Sequence, residues 1–233
     1  MVRVGEADDD QQEFVVYENL IRRSSEFFDN VLTELQDTSN ERAICLPANH
    51  PAQFELYYHW LLTGKLYSKF RVGDSIFGDE IRSERLASAN ELSELYSASA
   101  IGHDLADTDF VDAVTDTILQ WSTEKPFKDG NVPLYLGCKM YWRLPEGSPV
   151  RKLMVDLASS IKINDGVINE LRQDSDPEEK ERSVEFLLDI LQVTASARDA
   201  HGSKLIDFDD WQTSCKHHCH GEEKACYRTR LIG

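Results

Sequence analysis

One short stretch concentrates the side chains that do soft-metal and redox chemistry. Cys215 to Cys226, CKHHCHGEEKAC, holds three of the chain's five cysteines and three of its seven histidines. Zinc takes four Cys or His ligands in a tetrahedron, usually brought in as close pairs. Cys215-x-x-His218-x-His220 followed by Cys226 supplies two of each kind, and His217 and Cys219 stand beside them as further donors. The spacing is tighter than that of a finger whose ligand pairs are separated by a helix. A metal here would supply folding energy to a segment too polar to build a core of its own. Two other readings fit the same residues: a solvated polar tail without metal, and a thiol redox element. The other cysteines, Cys45 and Cys138, are isolated, and an odd total makes a poor disulfide framework, so a reducing compartment is expected.

Elsewhere the residues for catalysis do not assemble. There is no GxxxxGK[ST], GxGxxG or HExxH motif. Gly73-Asp74-Ser75 resembles the Gly-Asp-Ser block of a lipase-like hydrolase family. A nucleophilic serine needs a base within hydrogen-bond reach. That family supplies it from a late Asp-x-x-His, and Asp199-Ala200-His201 is one residue short. A glycine loop is the expected reading, with a hydrolase built on Ser75 as an alternative. His50 before Pro51 reads as a cap or turn residue, His59 as a core-edge histidine, and His103 as part of a helix-end turn. Cys45 alternates with Ile44 and Leu46 in a strand pattern, and Cys138 sits in a dense apolar segment. No enzyme is expected.

Composition narrows the partners. The chain has 233 residues, 42 acidic against 25 basic, for a formal net charge of -17. Phosphate backbones are held by clustered Lys and Arg. The largest basic patches here are small, Arg22-Arg23 and the pair Arg228, Arg230, so nucleic acid is not an expected partner. No run of about 18 apolar residues offers a membrane helix. The N-terminal MVRVGEADDDQQ reads as neither a signal nor a transit peptide. The expected location is intracellular, in cytoplasm or nucleus.

These residues need elements to position them. Val2-Arg3-Val4 and Glu13 to Tyr17 read as two strands of a hairpin, and Ala43 to Leu46 as a third strand closed by Pro47. Ser24 and Ser25 can cap a helix starting at Glu26, with Phe27, Phe28, Val31 and Leu32 on its apolar face. Pro51 opens a helix lined by Phe54, Tyr57, Tyr58 and Leu61 and ended by Gly64. Lys65 to Ser83 reads as a loop. Helices follow through Leu86–Tyr96 and Phe110–Trp121. Ser148-Pro149 starts another, with a stripe of Val150, Leu153, Met154, Leu157 and Ile161. Val184, Leu187, Leu188 and Leu191 mark a last helix before the pattern fades near Ser196. Short strands at one end and a run of helices make an α+β plan.

The ordered set YENLIRRSSEFF, RAICLP, HPAQFELYYHWLLTGKL and ELSELYSASAIGHD resembles the BTB/POZ domain family, in particular its fungal members. Ile21, Ser25 and Phe28 fall on the family's places in the first segment; Ile44, Leu46 and Pro47 in the second; Phe54, Trp60, Leu61, Thr63 and Gly64 in the third. EGSPVRKLMVDLA resembles a segment that often follows the domain in fungal members. The resemblance implies a small sheet of short strands flanked by a cluster of helices over 1–122, a helical C-terminal extension over 123–199, and a Cys/His-rich tail over 200–233. Fungal members often carry a Cys-aromatic-His-x-His-then-Cys tail. That favours Cys215, His218, His220 and Cys226 as the ligands of a structural zinc over His217 and Cys219.

The function the resemblance implies is binding: self-association or docking of a protein partner, with Phe54, Glu55, Tyr57 and Tyr58 on the expected contact face. The family's upstream segment is short or missing here, so a helix-packed homodimer is expected rather than a strand-exchanged one. Members that recruit a cullin often carry an apolar–any–Glu triplet. At that place stands Phe54-Glu55-Leu56, with the Glu one position early, about 100° around a helix. An adaptor for a cullin-based ubiquitin ligase is therefore the second reading.

Overall fold

The computed structural model describes residues 1–7, 11–36, 43–68, 80–124, 132–160, 177–199 and 211–230. These form a mostly helical α+β structure: a small mixed sheet and, among the described residues, eight α-helices. The sheet contains β1 (Val2–Val4), β2 (Gln12–Phe14) and β3 (Ile44–Leu46), in the order β2-β1-β3. The helices are α1 (Glu18–Ser24), α2 (Glu26–Gln36), α3 (Pro51–Thr63), α4 (Glu80–Asp104), α5 (Thr108–Glu124), α6 (Val132–Met140), α7 (Pro149–Ser159) and α8 (Pro177–Asp199). The chain divides into two compact units, 1–69 with 97–114 and 220–233, and 70–96 with 115–219.

In the first unit, β1 pairs antiparallel with β2 and parallel with β3. A parallel pair needs a crossover, which α1 and α2 supply. Val2 and Val4 are buried, whereas Arg3 on the other face pairs with Glu13, the residue opposite it, at 2.9 Å. The second strand is shorter than its composition suggests: it stops at Phe14, and Val15 and Tyr17 are 77% and 78% exposed. The chain needs that exit to turn into α1. Ser25 then caps α2, its Oγ accepting from the Phe28 N–H at 3.1 Å. His50 caps α3, its Nδ1 accepting from the Ala52 N–H at 3.3 Å, and Gly64 closes the helix in the left-handed region at φ 65°.

A chain of aromatic contacts fills this unit. Phe14 meets Phe54 at a centroid distance of 4.9 Å, Phe54 meets Tyr57 at 5.7 Å, and Tyr57 meets Phe110 at 4.9 Å. At its buried end stands Asp107. Its Oδ1 accepts from the Phe110 N–H at 3.0 Å, capping α5, while its Oδ2 accepts from the Tyr57 hydroxyl at 3.1 Å and from Ser24. Burial raises the Asp107 carboxyl above its ordinary pKa, and three donors pull the other way. Gly102 of α4 lies so close to α5 that a Cβ would stand 2.6 Å from the Val111 side chain.

In the second unit α6, α7 and α8 pack together. The segment around Cys138 reads only as apolar and packed in sequence; it forms α6 and a 3-10 turn, Tyr141–Arg143. Gly137 sits inside α6, where glycine ordinarily weakens a helix, because the Phe186 ring occupies the place of its side chain. Arg151 of α7 is the polar knot. Its guanidinium donates to the Tyr141 and Leu144 carbonyls at 3.1 and 2.9 Å, pairs with Glu185 at 2.7 Å, and lies 4.4 Å from the Tyr141 ring centroid. Ser148 caps α7 as its position before Pro149 suggests, and Val150, Leu153, Met154 and Leu157 are fully buried.

The face of α8 is a correction. Phe186 and Ile190 turn inward, and Val184, Leu188 and Leu191 are exposed. Phe186 fits the Gly137 gap and Glu185 and Asp189 reach Arg151 and the Tyr141 hydroxyl, which fixes the rotation of the helix. Helix α4 also begins earlier than the expected loop end, at Glu80, while residues 69–79 of that loop lie outside the described residues.

Candidate metal centre

The backbone of the Cys/His stretch turns twice. The His218 N–H donates to the Cys215 carbonyl at 3.0 Å, and the Lys224 N–H to the Gly221 carbonyl at 3.3 Å. The first turn brings Cys215 and His218 together, and the second returns the chain toward Cys226. As a result one ligand atom each from Cys215, His218, His220 and Cys226 lies within 4.8 Å of the other three. A zinc tetrahedron with ordinary bond lengths has edges of about 3.3–3.8 Å. The donor separations therefore exceed those of a bonded tetrahedron by at most about 1.0–1.5 Å, and the group could hold a metal such as zinc.

The ring nitrogens are already sorted. His218 Nε2 lies 2.9 Å from Asp116 Oδ1. His220 Nδ1 lies 3.0 Å from the Gly221 carbonyl oxygen. The His220 backbone N–H donates to Asp112 Oδ2 at 3.4 Å. Each histidine thus has one ring nitrogen within hydrogen-bond reach of an acceptor oxygen, the outer contact that metal-bound imidazoles make.

His217, although next in the chain, goes elsewhere. It is 5% exposed and its Nε2 is 3.5 Å from Asp156 Oδ2. Burial, and then the charges of Lys216 and Lys152, push its pKa down to about 4, so it is neutral and the contact with Asp156 is no ion pair at neutral pH. The charge partner of Asp156 is Lys216, at 3.3 Å. Burial raises the Asp156 carboxyl above its ordinary pKa and Lys216 works against that shift. Cys219 is half-buried and falls outside the group of four.

The stretch beyond His220 is fastened by charge and by one ring. Lys224 pairs with Asp109 at 3.0 Å, Arg230 with the same carboxylate, and Tyr227 packs edge-on to Trp60 at 5.8 Å. Sequence reasoning missed the acidic partners. Asp109, Asp112 and Asp116 stand at i, i+3 and i+7 of α5, one helical face. That spacing was the available signal, but so many carboxylates make any one set uninformative by itself.

The expected contact residues separate. Phe54 and Tyr57 are fully buried in the aromatic core, because the apolar side of α3 faces the sheet and α5; burial also raises the Tyr57 hydroxyl's pKa. Glu55 is exposed, 3.8 Å from His59, and Tyr58 is partly so. His59 is half-buried, edge-on to the Tyr58 and Tyr67 rings. Cys45 is exposed on β3 and Cys138 buried on α6. Ser75 and His201 lie outside the described residues.

No family model, no curated protein and no solved structure matches the chain. No helix among the described residues is long and apolar enough to cross a membrane.

Proposed function

We propose that the chain is a non-catalytic protein-interaction module of the BTB/POZ kind, acting by self-association or partner docking, with its C-terminal stretch fastened by a structural zinc ion. The observation that carries the first half is where the resembling residues stand. Ile21, Ser25, Phe28, Ile44, Leu46, Phe54, Trp60 and Leu61 are all buried around the sheet and its crossover helices, and Gly64 is a left-handed helix cap. Residues that share a family's pattern and also build one core support that family's architecture. Exposed Tyr17, Leu62 and Tyr67 leave apolar and aromatic surface for contacts.

Four protein donors leave no open position on a tetrahedral ion, which favours a structural over a catalytic zinc. The ion would hold a stretch whose short turns bury little, so metal binding and ordering of this stretch are coupled. Self-association is tested by light scattering at tens of micromolar: a dimer supports it, and a strict monomer argues against it. The exposed Glu55 keeps the cullin-adaptor reading open, and a pull-down with a cullin N-terminal region decides it.

A further inference from the structure

We propose that Asp116 is the positioning carboxylate of the metal centre, holding His218 in the tautomer that binds through Nδ1, while the Gly221 carbonyl sets His220 to bind through Nε2. The inference rests on the zinc reading and extends it to a residue a hundred positions away from the ligands in sequence.

A carboxylate oxygen and a backbone carbonyl oxygen can only accept. The nitrogen 2.9 Å from Asp116 Oδ1 must then carry a hydrogen, and that nitrogen is His218 Nε2. A neutral imidazole has one N–H and one lone pair, so the lone pair of His218 is on Nδ1. By the same logic His220, with Nδ1 3.0 Å from the Gly221 carbonyl, carries its lone pair on Nε2. The two rings offer opposite nitrogens to the ion.

The support for the two rings differs. Gly221 is the next residue, so its carbonyl is set by the same turn that positions His220. Asp116 lies in α5, a helix whose start is fixed by the buried Asp107 cap. Both members of the His218–Asp116 pair are buried, with side chains 1% and 10% exposed. Water does not compete well for such a bond, and the other tautomer would leave a buried carboxylate facing a lone pair. Outer partners of this kind typically change metal affinity 10–100-fold.

The test uses the full chain and zinc alone. Zinc content is measured first, and affinity is then read by competition with a chromogenic chelator for the wild type, Asp116→Asn and Asp116→Ala. Long-range proton–nitrogen NMR on the zinc-loaded wild type assigns the bound nitrogen of each ring. The expected result is one zinc, bound by His218 Nδ1 and His220 Nε2. Asp116→Ala should weaken binding 10–100-fold and Asp116→Asn, which keeps an acceptor oxygen, less so. One zinc bound through His218 Nε2, or an affinity within twofold of wild type in Asp116→Ala, overturns the positioning role and leaves the zinc reading standing. A wild type without zinc overturns both. If Asp116→Ala does not fold, the wild-type nitrogen assignment decides alone.

Discussion

Replacing Gly137 by alanine ought to help a helix and should instead harm this one. In an open helix interior the change gains about 1 kcal/mol, because glycine has the larger conformational freedom to lose. Here a Cβ at residue 137 would stand 2.2 Å from two carbons of the Phe186 ring. Carbon contacts settle near 3.5–4.0 Å, so the overlap exceeds about 1 Å. The ring cannot swing out cheaply: Phe186 is fully buried and leans on Tyr141 at 5.0 Å. Overpacking of this kind costs about 1–3 kcal/mol, and a blocked ring belongs at the upper end. Setting about 3 kcal/mol of strain against about 1 of propensity leaves a net loss of about 2 kcal/mol. For a chain of this size that lowers Tm by about 4–8 °C. Phe186→Ala alone should cost about 3–5 kcal/mol. In that background Gly137→Ala should change sign and stabilise by up to about 1 kcal/mol, a coupling of about 3 kcal/mol between the two sites. Thermal and urea unfolding of the four proteins measures it. A Gly137→Ala protein more stable than wild type, or equal costs in both backgrounds, would refute the packing of α6 against α8.

Three further outcomes follow from the geometry. Asp107→Ala removes the α5 cap and leaves the buried Tyr57 hydroxyl without its acceptor, so unfolding free energy should fall by about 2–4 kcal/mol, measured by denaturant titration. Cys215→Ser should abolish stoichiometric zinc, whereas Cys219→Ser should retain it; loss on both would exclude the assigned ligand set. Burial lowers the His103 pKa below its unfolded value, so the unfolded chain takes up the proton first as the solution is acidified. Stability from neutral His103 is complete above the unfolded pKa of about 6.5 and is lost as pH falls toward the folded one. His103→Gln should therefore show a shallower loss of Tm than wild type as pH falls below about 6.5, and parallel curves would contradict it.

The parts of the fold that were legible in sequence are those written as local rules. Ser25, His50 with Pro51, and Ser148 with Pro149 announce helix starts through their own side chains, and each does cap a helix. The hairpin and the third strand follow from β-branched runs broken by turn residues. What failed depended on partners distant in the chain. The outward turn of Leu188 is set by a ring that fills the space above Gly137, and no periodicity within α8 contains that information. The helix through Cys138 is hidden because its glycine counts against helix until Phe186 is beside it. At the site, two Cys and two His at short spacing are visible directly. Their acidic supports are not, because Asp116 becomes special only once His218 is laid against it.

Native mass spectrometry of the full chain purified with zinc present decides whether this is a binding module whose C-terminal stretch is fastened by zinc. One spectrum reports both metal count and assembly state. The expected species is a homodimer carrying one zinc per chain, with the zinc lost in the Cys215→Ser protein. A metal-free monomer at tens of micromolar would contradict both the self-associating reading and the zinc centre at once.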